Sequence, residues 1–138
     1  MEKHTFDGKI LIVGFGSIGQ GVLPLILRHF TITPERITIA TADKRGEDVA
    51  RECGVRFIID PLLPRNHQDI IRSHIGPGDF LANVSVDVSS VALIEYCQKN
   101  GILYIDTVME PWQGFYIDPA FSVSQRSNYA LREAALAL

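Results

Sequence analysis

An unbroken apolar tetrad running straight into a spaced set of glycines constrains this chain more than any other stretch. Ile10-Leu11-Ile12-Val13 shows no alternation, the pattern of a strand buried on both faces. Gly14, Gly16 and Gly19 then satisfy G-x-G-x-x-G, and Val22, Leu23, Leu25, Ile26 and Leu27 follow with helical spacing. Each glycine has its own physical task. Gly14 permits a tight turn out of the strand, Gly16 lets main chain approach a pyrophosphate, and Gly19 lets the helix lie close on the sheet. Ser17 and Ile18, in the first helical turn, present free N–H groups and the positive end of the helix dipole to that pyrophosphate. Strand, turn and helix together predict a dinucleotide-binding β–α unit. Pro24 is the local misfit, and it is expected to kink the helix or delay its regular part.

The rest of the chain alternates strand and helix, which predicts an α/β fold: a Rossmann-type, doubly wound parallel sheet with helices on both faces. Further strands are expected over Ile37–Thr41, Val55–Ile59, Phe80–Val86 and Ile102–Ile105. The intervening helices are expected over Gly46–Cys53, from an Asn66 cap through Ile75, and from a Ser89 or Ser90 cap to Gly101. Pro119–Ser124 reads as a loop and Gln125–Leu138 as a helix ending without a stop signal. The division expected is a cofactor-binding domain over 1–118, with 119–138 starting a connection to a second, C-terminal domain outside this chain.

Composition narrows the partners. Thirteen basic and sixteen acidic residues give a net charge of −3 with no basic block, which argues against nucleic acid. There is no signal region and no run of membrane-spanning length, so the cytoplasm is the expected compartment. Cys53 and Cys97 fall within expected helices without C-x-x-C spacing and read as free, buried thiols. The four histidines show no ligand spacing, so no metal site is expected. His29, His67 and His74 are expected on helix surfaces.

In such a fold, ligands lie across the carboxyl ends of the strands. Asp43 follows the second of these strands, 24 positions past Gly19, where a carboxylate accepts hydrogen bonds from an adenosine ribose and favours NAD. Lys44 and Arg45 beside it suit a 2′-phosphate, and Asp43 also reads as an ordinary turn or cap residue. After the fourth strand, Asp87 is expected to face the nicotinamide half of the cleft. After the fifth comes Asp106-Thr107-Val108-Met109-Glu110-Pro111-Trp112, two carboxylates and the sole tryptophan at the same edge.

The segments Asn83–Ser90, Tyr104–Trp112 and Gln125–Glu133 closely resemble bacterial homospermidine synthases, within the wider saccharopine dehydrogenase-like group. The likeness runs from about Phe6 to the last residue. It implies a homodimeric enzyme, longer than this chain, whose second domain closes the active site. It also implies the reaction. NAD takes a hydride from the amine carbon of putrescine, the imine loses ammonia, a second putrescine (or spermidine as amine source) condenses, and the stored hydride reduces the new imine. The resemblance assigns Asp87 and Glu110 to the polyamine site. A diamine is doubly cationic near neutral pH, so acidic neighbours suit it. Glu110 is the expected general base and Asp87 the ammonium partner. Trp112 either contacts a cation through its ring or anchors the loop by packing. Two other readings stand beside this one. A regulatory dinucleotide-sensing domain has no need of Asp87 and Glu110, and an amino-acid dehydrogenase would place cations where these acids stand.

Overall fold

In the computed structural model, which describes residues 2–138, the apolar tetrad is the central strand of a parallel sheet. The elements are β1 (His4–Thr5), β2 (Ile10–Val13), α1 (Ser17–His29), β3 (Phe30–Thr31), β4 (Ile37–Thr41), α2 (Glu47–Glu52), β5 (Arg56–Ile59), α3 (His67–His74), β6 (Phe80–Asn83), α4 (Ser90–Lys99), β7 (Leu103–Asp106) and α5 (Asn128–Leu136). The five-stranded sheet has the order β5-β4-β2-β6-β7, all parallel. The chain therefore winds outward from β2 in one direction, then returns and winds in the other, and the reversal falls between β2 and β6. That reversal opens a crevice above the carboxyl ends of β2, β4 and β6.

Two apolar layers hold the helices to the sheet. Ile10, Ile12, Ile37 and Ile39 pack with Leu23 of α1 and Ala50 of α2 on one face. Leu11, Val13 and Leu81 pack with Ile70 and Ile71 of α3 and with Leu93 and Cys97 of α4 on the other. Every residue of β2 is buried, which is why that strand shows no alternation.

The doubly wound sheet with helices on both faces is as expected, and at its β7 edge Leu103 and Ile105 stand 53% and 56% exposed. Several local expectations need correction. Helix α1 begins at Ser17 and runs through Pro24 to His29 without the expected delay, and Pro24 itself is exposed. A short parallel pair, β1 with β3, was not foreseen. Strand β6 ends at Asn83 instead of Val86, since Asn83 bonds the Ser85 N–H through its side chain and Asp87 turns left-handed at φ 62°. The last helix is shorter than expected and is capped by Ser127, whose hydroxyl accepts from the Ala130 N–H. Cys53 is only half-buried, at the end of α2. Cys97 is buried, and desolvation pushes its thiol up to about 12.

Candidate functional site

The crevice is a cleft of about 620 Å³ lined by the ends of β2, β4 and β6, by Pro61–Pro64, and by Trp112 and Gln113. Its floor is the glycine turn, and there each glycine meets a different environment. Gly14 has φ +84°, and a Cβ there would lie 2.6 Å from the Ser85 Cα. Neither a side chain nor an ordinary backbone geometry fits. At Gly16 a Cβ would meet nothing within 4 Å, so the surface above it is open to a ligand. A Cβ on Gly19 would come within 2.9 Å of the Phe15 ring and 3.3 Å of Val84 Cγ2, so the helix lies close on the sheet. Gly16 occupies the N-cap of α1 and offers no side-chain cap, which leaves the first-turn N–H groups, including those of exposed Ser17 and Ile18, to an outside acceptor.

Phe15, which the spacing alone did not single out, is the packing centre of this floor. It is 2% exposed, sits edge-on to Phe57, and lies where a Cβ on Gly46 would approach to 2.6 Å.

On the β4 flank the cleft carries Asp43 and Arg45. Asp43 accepts from the Arg45 main-chain N–H at 2.9 Å and receives its guanidinium at 3.0 Å (Nε) and 2.8 Å (Nη2). The guanidinium, followed by the main-chain bond, lowers the Asp43 carboxyl below the usual carboxylate range. Asp43 is thus a turn residue and a cleft residue at once, and Arg45 is held by it.

The β6–β7 flank is made of side chains. Asp87 lines the cleft, exposed and in the left-handed region that aspartate tolerates better than most residues. Trp112 lines the cleft too, and its ring also packs on the core and on His67, with centroids 5.3 Å apart. Glu110 is half-buried but is not among the cleft-lining residues. Neither Asp87 nor Glu110 is held in an ion pair among the described residues.

Residues 10–138 match the saccharopine dehydrogenase NADP-binding domain. The chain belongs to that family. It is 45% identical over 137 residues to a homospermidine synthase of Blastochloris viridis, covering 97% of this chain and 29% of that protein. With a homospermidine synthase of Mesorhizobium japonicum it shares 41% identity over 132 residues, covering 94% of this chain and 27% of the relative. The crystal structure of a homospermidine synthase from Legionella pneumophila, in complex with NAD, superimposes with a TM-score of 0.87 at 39% identity, over 99% of this chain and 28% of that one. The chain thus spans under a third of the relatives it matches.

Further residues shape the site around the glycine floor. His67, expected on a helix surface, is buried at 8% exposure; its Nδ1 lies 3.2 Å and 3.1 Å from the Leu63 and Pro64 carbonyl oxygens, fixing the ring against Trp112. Asn66 does not cap α3 with its side chain. It accepts from the Leu63 N–H at 2.7 Å and donates to the Pro61 carbonyl, closing the loop that walls the cleft. Ser89, not Ser90, caps α4. Ser90 is fully buried and ties down the Glu110 loop: its Oγ accepts from the Glu110 N–H at 3.0 Å and donates to the Val108 carbonyl at 3.2 Å, while its own N–H donates to the Glu110 carbonyl at 2.8 Å. A second serine after a good cap is the only sequence signal that pointed there.

Proposed function

We propose that this chain is the cofactor-holding part of a homospermidine synthase, with residues 1–118 as the cofactor domain and 119–138 leading into a second domain, working as a cytoplasmic homodimer. The observation that carries this reading is the charge of the cleft. Its charged lining residues are Asp43, Arg45 and Asp87, and the one cation among them is already paired with Asp43. The β6–β7 flank is therefore left with acid, which suits an ammonium group and opposes a carboxylate substrate. The identity to two homospermidine synthases supports the same reading.

The cofactor supplies a reversible hydride acceptor when bound. The glycine turn and the first turn of α1 hold its pyrophosphate, and Asp43 reaches its adenosine ribose, which favours NAD. Asp87 pairs with a substrate ammonium. Glu110, pinned through its main chain by Ser90 but free at its carboxylate, removes the proton that accompanies hydride loss. Trp112 walls the same end. The balance is two putrescine molecules giving homospermidine and ammonia, with the cofactor restored.

The test is a chimaera in which this chain replaces the corresponding segment of the Blastochloris viridis enzyme. It should form homospermidine and release ammonia from putrescine, whereas the 138-residue chain alone should bind NAD without turnover. In the chimaera, Glu110→Gln should abolish turnover with NAD still bound. Full activity in that variant removes Glu110 from the mechanism, and ammonia release by the chain alone overturns the division of labour.

A further inference from the structure

A directional hydrogen-bond chain runs from the cleft into the sheet, and its direction is fixed by an atom that can only donate. The Ser85 main-chain N–H points to Asn83 Oδ1 at 3.2 Å, which identifies that atom as the amide oxygen. The Asn83 amide nitrogen therefore faces Tyr104 and donates to its hydroxyl at 3.2 Å. Having accepted there, the phenol turns its own hydrogen to Asp106 Oδ2 at 3.0 Å. Asn83 is 2% exposed, so water does not compete along the middle of the chain. At the near end, the Ser85 hydroxyl lies 2.6 Å from Asn83 Oδ1, an atom with no hydrogen to give. The serine proton is spent inward, and Oγ keeps only lone pairs for the cleft that Ser85 lines.

We propose that Ser85 is a specificity-determining contact for the nicotinamide half of the dinucleotide, accepting from a ribose hydroxyl or a carboxamide N–H and not binding phosphate. Its position beside the glycine turn, 2.7 Å from where a Gly14 Cβ would sit, would otherwise suggest a phosphate ligand. Phosphate oxygens accept and do not donate, so against this Oγ they would set lone pair against lone pair. Asp43 follows β4 on the adenosine side of β2, whereas Ser85 follows β6 on the other side, with Asp87. The proposal rests on the dinucleotide reading of the cleft.

The test measures binding of NAD, ADP-ribose, 3-acetylpyridine adenine dinucleotide and ADP to the chain by calorimetry, for wild type, Ser85→Ala and Tyr104→Phe. Ser85→Ala should weaken NAD about fivefold, the worth of one hydrogen bond, and leave ADP unchanged. Equal losses for NAD, ADP-ribose and the acetylpyridine analogue identify a ribose hydroxyl as the donor. A loss confined to NAD identifies the carboxamide, since neither of the other two carries that N–H. Tyr104→Phe should show a smaller loss in the same pattern, as the Asn83 amide loses its anchor. A loss for ADP as large as for NAD, or no loss for any ligand, overturns the proposal. A wild-type chain that binds none of the four overturns the dinucleotide reading itself, a result no serine variant can mimic.

Discussion

On the β4 flank and along its floor, the cleft is shaped by main chain: a left-handed glycine, a bare helix N-terminus and an aspartate bonded to a residue two positions on. On the β6–β7 flank it is shaped by side chains from segments far apart in sequence, with Asn83 meeting Tyr104, Ser90 meeting Glu110 and His67 meeting Trp112. The first kind of site tolerates almost no change at one or two positions and is indifferent elsewhere. The second spreads its demands over many residues, each replaceable at moderate cost. Substitution should separate the two.

The largest effect is expected where the floor leaves no choice. Gly14→Ala forces a side chain into the left-handed region and onto the Ser85 main chain, and should cost about 3 kcal/mol in a urea melt. Gly16→Ala, two residues on, meets open space and should change stability by less than about 1 kcal/mol while weakening NAD at least roughly tenfold. Equal stability losses in both variants would break the distinction between a glycine kept for the fold and one kept for the ligand.

That distinction also explains what the sequence made legible. The glycine floor and Asp43 were readable because their partners lie within a few residues or within one β–α–β unit, so spacing alone places them. The doubly wound parallel sheet was readable because the alternation of strand and helix admits few right-handed windings. His67 was misplaced because its burial comes from Trp112, 45 positions later. The Asn83–Tyr104 bond needs the β6–β7 register, in which Leu81 pairs with Tyr104 and Asn83 with Asp106. Given that register, the two-residue alternation would have put Asn83, Tyr104 and Asp106 on one face. Without it, Asn83 reads only as one more residue of the expected strand Phe80–Val86.

A side-chain clamp should give a middling effect. Ser90→Ala leaves the half-buried Glu110 N–H without its acceptor and should cost about 2 kcal/mol. Amide exchange at Glu110 should quicken more than exchange in the sheet. Unchanged exchange there would show that the loop is held by Trp112 packing and not by Ser90.

Smaller still is the expected response of the β4 flank to loss of its ion pair. Asp43→Ala frees the Arg45 guanidinium for a 2′-phosphate and should shift preference from NAD toward NADP by about tenfold, read as the ratio of the two dissociation constants. Stability should hardly move, because the pair is solvent-exposed and screened. An unaltered ratio would mean that Asp43 serves the turn alone.

The smallest effect lies outside both flanks. His74, at the end of α3, is partly desolvated and stands near Arg56 and Lys9, which outweigh the opposing pull of Asp60, so its pKa falls below the usual histidine value. A histidine whose folded pKa is depressed is protonated more readily when unfolded. Its stabilising contribution is therefore complete above the unfolded value near ~6.5 and is lost as pH falls through the lower folded value. Thermal melts between pH 7.5 and 5 should show a modest decline in Tm that His74→Gln flattens. Lys9 precedes β2 and Arg56 opens β5, which places His74 at the amino-terminal edge of the sheet, opposite the cleft. NAD affinity should therefore not follow the melt. A binding curve that tracks Tm across this range would tie the cleft to the sheet's far edge, and the two flanks could no longer be treated as locally determined.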